Sequence, residues 1–245
     1  MIETRGLTKR FGQKLVLSGV NLTVKDGQTL VVLGRSGCGK SVVLKHLIGL
    51  LKADAGQVLV DGEDITGLPE RKLTAVRRKI GMLFQSAALF DSMSVEGNLA
   101  FPLIEQGIRD RAEINARVTE ALGMVDLAGE EKKMPADLSG GMRKRVGLAR
   151  TVVGRPRCIL YDEPTTGLDP ITSDSINHMI RRLQRRLGVT SIVVTHDMKT
   201  AFHCADYVAL LHEGRVHFEG NVDALRASKD PIITDFIEGR SGDSD

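Results

Sequence analysis

Apolar residues come first in short β-rich runs, at 2–7, 15–24 and 29–33. Asp26-Gly27, between the second and third runs, is a hairpin signal and predicts that those two strands pair. After residue 33 a glycine-rich loop leads into helical spacing at 41–51. A further strand at 57–60 ends at the turn Asp61-Gly62, and 80–84 reads as a buried strand. From residue 86 to 156 the period changes. Residues 94–104, 111–123 and 139–153 have helical spacing, with Pro and Gly between them and no convincing strand, so this stretch is predicted to be a helical insertion. Strand and helix then alternate through 158–161, 172–187, 190–195, 198–204 and 207–212, the pattern of a parallel sheet with helices on both faces. Residues 215–219, after Glu213-Gly214, predict a terminal hairpin strand, and the polar end 240–245 is expected to fray.

Composition narrows the picture. The 245 residues are 42% hydrophobic and 27% charged, which is globular rather than disordered. A chain of this length buries about 70–75% of its unfolded surface. The net charge of +3 is too balanced for a dedicated nucleic-acid binder, and nucleic acid is not an expected partner. No apolar run approaches the ~18 residues of a membrane span, and the first residues lack a signal-peptide pattern. Three widely spaced cysteines, Cys38, Cys158 and Cys204, predict no disulfide framework and a reducing cytosol.

Candidate chemistry begins at Gly34-Arg35-Ser36-Gly37-Cys38-Gly39-Lys40-Ser41, followed by Val42, which fits G-x-x-x-x-G-K-[ST] between an apolar strand and a helix. Glycines let successive N–H groups turn inward, and the helix N-terminus adds partial positive charge for phosphate. In such a loop Lys40 is placed to reach the β- and γ-phosphates and the Ser41 hydroxyl to ligate Mg²⁺. The loop implies a nucleoside triphosphate without saying what its hydrolysis drives. Ile159-Leu-Tyr161-Asp162-Glu163 supplies an apolar strand ending in acids. Asp162 is the candidate Mg²⁺ residue, and Glu163 the candidate group that orients or deprotonates the attacking water. A hydroxyl inside the run, that of Tyr161, needs a partner if buried. Leu138-Ser139-Gly140-Gly141-Met142 opens a helix in the insertion, with Ser139 as N-cap and glycines that free backbone N–H groups.

In this position the last motif resembles the signature loop of ATP-binding cassette (ABC) ATPases, and further family marks follow. Phe11 stands where the family stacks an aromatic ring on adenine. Gln85 resembles the glutamine that senses Mg²⁺ and water, Gly167-Leu168-Asp169 the D-loop, and His196 the switch histidine that contacts the γ-phosphate. The resemblance covers nearly the whole chain. It implies an α/β fold: a P-loop NTPase (RecA-like) core with an N-terminal antiparallel β subdomain and an inserted α-helical subdomain. It divides one ABC ATPase domain, residues 2–240, into a nucleotide-binding core with β subdomain (1–85 and 157–225), a helical signature subdomain (86–156), and a C-terminal helix and tail (226–245). It also implies ATP and Mg²⁺ as ligands of a head-to-tail dimer. One copy would give Lys40, Ser41, Gln85, Asp162, Glu163 and His196, and the second copy Ser139 and Gly141.

A narrower resemblance is carried by Met142 in place of the usual signature glutamine, by Gln85-Ser-Ala-Ala-Leu-Phe90 with Met93, Val95, Asn98 and Phe101-Pro102-Leu103, and by Asp169-Pro170-Ile171-Thr172. These residues resemble the ATPases of Mla-type lipid transporters. The resemblance implies an integral membrane permease, an MCE-domain lipid-binding protein, often a small STAS-domain protein, and a peripheral place on the cytoplasmic face of the inner membrane. Two other functions compete. A soluble cassette acting on DNA or ribosomes tends to carry two cassettes, coiled-coil insertions or Cys-x-x-Cys modules, none of which is present. A cassette for another cargo, such as amino acids or metals, is opposed only by the narrower marks. Among the remaining signals, Arg181, Arg182, Arg185 and Arg186 read as a solvated helix face rather than a polyanion patch. Arg143, Lys144, Arg145 and Arg150 are candidates for a positive field near phosphate. Phe84, Leu89, Phe90, Met93 and Phe101 divide between core packing and an apolar groove for a permease helix.

Overall fold

The computed structural model describes residues 1–240, so the expected fraying of the tail falls almost wholly outside the described residues. In chain order the strands are β1 (Ile2–Phe11), β2 (Lys14–Val24), β3 (Thr29–Leu33), β4 (Ala55–Val60), β5 (Glu63–Asp64), β6 (Ile80–Leu83), β7 (Cys158–Asp162), β8 (Thr190–Thr195), β9 (Tyr207–His212) and β10 (Arg215–Gly220). The helices are α1 (Lys40–Leu47), α2 (Glu70–Lys79), α3 (Val95–Glu105), α4 (Arg111–Met124), α5 (Gly140–Val152), α6 (Pro170–Leu187), α7 (Met198–Cys204), α8 (Val222–Ala227) and α9 (Pro231–Glu238). Helix α2 was not expected from the sequence, and the C-terminal stretch holds two short helices where one was expected. The chain divides into two compact units, Met1–Val76 with Thr190–Asp245, and Arg77–Val189.

The first unit holds the antiparallel sheet β2-β1-β4-β5 and, separately, the row β10-β9-β3-β8. Here one expectation fails: β3 does not pair with β2 across Asp26-Gly27. Strand β2 folds back on β1 through the turn between Phe11 and Lys14, while β3 lies parallel to both β8 and β9. The reason is burial. Strand β2 alternates exposed and buried residues, as suits a sheet with one wet face, whereas all five residues of β3 are buried. A strand apolar on both faces is stable only inside a covered, mainly parallel sheet. The other two turn signals hold. Asp61 and Gly62 (φ 53° and 79°), and Glu213 and Gly214 (φ 47° and 74°), are left-handed pairs that close the β4–β5 and β9–β10 hairpins.

In the second unit β6 and β7 run parallel, with Ile80 opposite Cys158. Residues 86–156 contain no strand among the described residues. Three of its α-helices begin at side-chain caps: Ser94 Oγ accepts from Gly97 N, Asp110 from Ala112 N, and Ser139 Oγ from Met142 N. Asp169 caps α6 in the same way. Each such cap satisfies amide donors that the first helical turn otherwise leaves without partners. Val95, Leu99, Leu103, Val118, Leu122, Val146 and Leu148 make the core of these helices, each at most 1% exposed. Each burial of this kind contributes roughly 1.5–3 kcal/mol. The α/β architecture with an antiparallel β part and a helical insertion, expected from the resemblance, is the architecture of the chain.

Candidate functional site

The phosphate loop leaves the end of β3, and Gly39 opens α1 with φ 109°. A Cβ on Gly39 would stand 2.7 Å from Leu17 Cδ2 and 3.1 Å from the Val16 carbonyl, so glycine is required there both by conformation and by space. Helix α1 has no side-chain cap and no acidic residue in its own first turn. Lys40, 5% exposed, folds back over the loop, its ammonium donating to the carbonyls of Gly34 (2.7 Å) and Arg35 (3.2 Å). Gly34 and Gly39 are buried, Ser41, Val42 and Cys38 are half-buried, and Arg35, Ser36 and Gly37 are exposed. His196 is exposed between the end of β8 and Asp197, the cap of α7. The Phe11 ring, 47% exposed, lies at the β1–β2 turn with the Lys9 ammonium 5.5 Å from its centroid.

The second unit carries the remaining candidates. Asp162 is the last residue of β7 and Glu163 follows it, at 8% and 9% exposure. Glu163 has φ 47°, a left-handed conformation that a non-glycine residue adopts only when its surroundings enforce it. Gln85 is exposed just beyond β6. Ser139 and Gly140 are exposed at the start of α5, and Gly141 is half-buried. A Cβ on Gly141 would come 2.7 Å from Thr172 Cγ2. The Asp169 carboxylate is engaged in the α6 cap, accepting from the N–H groups of Ile171 and Thr172 and from the Thr172 hydroxyl. The Thr172 hydroxyl, then the backbone amides, hold its pKa below the ordinary aspartate value.

The basic residues of α5 are each held by hydrogen bonds. Arg143 donates to the Leu138 carbonyl at 2.6 Å and Arg145 to Ser175 Oγ at 2.9 Å. Buried Lys144 donates to the carbonyls of Gln85 (2.5 Å) and Glu163 (3.4 Å). Burial pulls its pKa below the ordinary lysine value, while the charges of Asp162 and Glu163 act in the opposite sense. Arg150 donates to the carbonyls of Ala87 and Ala88, both in left-handed conformations (φ 63° and 48°), and lies 5.9 Å from the centre of the Phe90 ring. Arg143, Lys144 and Arg150 thus brace backbone carbonyls and Arg145 a hydroxyl, each while keeping its positive charge. Sequence reasoning missed this bracing. Its only trace was a lysine and an arginine on a helix whose other inward residues are uncharged. Asn98, with no exposed surface, completes it. Its amide receives the Phe90 N–H (2.8 Å) and donates to the carbonyls of Phe90, Met93 and Ser94. On α6, exposed Arg182 pairs with Asp126 at 2.8 Å, and Arg185 and Arg186 are exposed, as a solvated face requires.

The three aromatic residues fall on one side of the expected division: Phe84, Phe90 and Phe101 all line a groove, and none belongs to the buried core. Phe90 and Phe101 meet edge to face at 5.0 Å and stay 41% and 38% exposed. With Ile80, Met82, Phe84 and Pro102 they line a groove of about 390 Å³.

A strand buried on both faces that feeds a glycine loop and an uncapped helix is the arrangement expected of a phosphate-binding core. Comparison with known proteins agrees. Residues 17–166 match the ABC transporter family, and the chain belongs to it. It is 41% identical over 239 residues to the probable ribonucleotide transport ATP-binding protein mkl of Mycobacterium tuberculosis, covering 98% of this chain and 67% of that protein. It is 42% identical to the methionine import ATP-binding protein MetN of Rhizobium johnstonii (96% and 64% covered). It is 40% identical to the intermembrane phospholipid transport system ATP-binding protein MlaF of Haemophilus influenzae (98% and 91% covered). Among solved structures, the dimeric post-hydrolysis state of the cassette MJ0796 bound to ADP and Pi superposes with a TM-score of 0.83 at 33% identity, covering 91% of this chain and 99% of that one. The chain is thus an ATP-binding, ATP-hydrolysing subunit of the ABC transporter type. No helix among its described residues is long and apolar enough to cross a membrane.

Proposed function

We propose that this ATPase powers the movement of phospholipid or a related lipid, working as a pair of copies bound to an integral permease on the cytoplasmic side of the membrane, with an MCE-domain protein as a further partner and a STAS-domain protein as an accessory. The observation that carries the lipid reading is the stretch from Gln85 to Leu103. The residues that mark the Mla-type resemblance include Phe90, Asn98, Phe101 and Pro102. Three of them line the apolar groove, and Asn98 holds the backbone that presents Phe90. Exposed aromatics rigidly held from behind suit a docking face for an apolar helix end of a permease. The 40% identity to MlaF supports the same reading, while mkl and MetN, named for ribonucleotide and methionine, are the competing cargo classes.

The chemistry follows from the residue types. Lys40 and the loop N–H groups bind the β- and γ-phosphates of ATP, and Phe11 stacks on the base. Glu163 orients and deprotonates water, and His196 contacts the γ-phosphate. Ser41, Asp162 and Gln85 offer only hard oxygen donors, a set that fits Mg²⁺. When bound, that ion offsets the charge developing on the transferred phosphoryl group. Ser139 and Gly141 serve the site of the second copy, and Asp169 stiffens the adjoining loop through its cap. The test is purification of the chain from native membranes. Co-purification with a permease and an MCE-domain protein, and ATPase activity stimulated by phospholipid vesicles, are expected. Stimulation by methionine or a ribonucleotide instead, with no bound lipid, overturns the lipid assignment.

A further inference from the structure

We propose that Lys144 is a positioning residue for ATP hydrolysis: its ammonium fixes the backbone at Gln85 and at Glu163 to one point on the helix that the signature loop opens. The inference rests on Gln85 and Glu163 acting as proposed above. Lys144 is 5% exposed and reaches both carbonyls from the second turn of α5. A charged donor shared by two carbonyls makes stronger hydrogen bonds than a neutral one. Both carbonyls belong to segments whose geometry the chain does not favour by itself. Glu163 is left-handed, and Ala87 and Ala88, two and three residues beyond Gln85, are left-handed as well. Such residues persist only where neighbours over-determine them. Helix α5 supplies those neighbours at a spacing of three. Lys144 holds Gln85 and Glu163. Gly147 lets the helix approach so closely that an added Cβ would stand 2.8 Å from Leu83 and 3.1 Å from the Ala87 methyl. Arg150 holds Ala87 and Ala88. Of the three, Lys144 alone touches the backbone of the residue proposed to activate water. It does not meet substrate, so its effect reaches the reaction through the placement of the Glu163 carboxylate and the Gln85 amide.

The test uses the full chain in its membrane complex. Lys144→Met keeps the side-chain length and removes the donor. It should lower kcat by about tenfold or more and leave the KM for ATP within about threefold, the pattern of an interaction felt only in the transition state. Lys144→Gln keeps two N–H donors and should recover kcat to within about threefold of wild type. The proposal is overturned if Lys144→Met turns over normally, if it raises KM with kcat unchanged, or if folded Lys144→Gln is no better than Lys144→Met. Should Lys144→Met fail to fold, a folded Lys144→Gln that has lost kcat tenfold overturns the proposal, and one that retains it supports the donor role. Glu163→Gln in the same complex separates the two readings. If that variant turns over normally, the role of Glu163 fails. If it is inactive while Lys144→Met is normal, only the positioning role fails.

Discussion

The phosphate loop and the acidic end of β7 are both strand termini, yet they are built in opposite ways. At the loop the backbone itself is the instrument. Glycines take the left-handed angles without strain, and a strand buried on both faces sets the origin of the loop. At Glu163 an ordinary residue takes a left-handed angle, and a buried cation from another helix holds its carbonyl. One geometry is written into local residue types, whereas the other exists only by grace of tertiary contacts. A site of the first kind should fail through binding, and one of the second kind through turnover.

The largest effect expected at the acidic end is that of Glu163→Gln. Loss of the proposed general base should lower ATP turnover by roughly 10²-fold or more while nucleotide affinity stays near wild type, as measured by steady-state hydrolysis beside calorimetric titration. A parallel loss of affinity would erase the contrast. Next comes Gly39→Ala in the loop. Forcing a side chain into φ 109° against Leu17 and the Val16 carbonyl should cost roughly 1–3 kcal/mol. That cost should appear as weaker ATP binding by the isolated chain, and unchanged affinity would show that the loop tolerates what its geometry forbids.

Two smaller effects sharpen the comparison on the braced side. Asn98→Ala strips the partner from the Phe90 amide and from three carbonyls, and should destabilise the fold by about 2–3 kcal/mol. For a chain of this size that is a fall in thermal midpoint of roughly 2–4 °C per kcal/mol, readable by calorimetry. Nucleotide affinity should not follow. Asp169 gives the smallest. Its carboxyl is more acidic in the folded chain than in the unfolded one, chiefly through the Thr172 hydroxyl. Its contribution is therefore present above the ordinary carboxylate value of about 3.9 and is lost as pH falls through the lower folded value. Asp169→Asn should flatten this part of the acid unfolding profile and leave the midpoint at neutral pH little changed. A steeper acid limb in the variant would contradict the sign.

What could be read from the chain alone follows the same division. Gly34 to Ser41, the strand-ending acids and the cap Ser139 are local patterns, in which neighbouring residues suffice to fix the backbone. The β4–β5 and β9–β10 turns were legible because Asp61-Gly62 and Glu213-Gly214 close strands adjacent in sequence. Asp26-Gly27 carried the same signal and misled, because the burial of β3 on both faces outweighs a turn preference. Helix α2 escaped notice because, among its residues, only Leu73 and Val76 are buried, too few to set a period. The bracing by Lys144 and Arg150 was illegible for a different reason. Their partners are carbonyls 19, 59 and 62–63 residues away in the chain, and a carbonyl has no sequence identity.

The flanking of β3 by β8 and β9 has a consequence that isotope exchange would expose. The amides of Leu30 to Leu33 sit in a buried strand with parallel neighbours on either edge, so no local fluctuation frees them. Their deuterium uptake should proceed only through opening of the whole unit and so report its global stability. Arg35, Ser36 and Gly37, a few residues on, are exposed and should label far sooner. The steepest gradient of protection in the chain is then expected within a handful of peptide bonds, where the slowest-exchanging strand hands over to the loop proposed to meet the nucleotide.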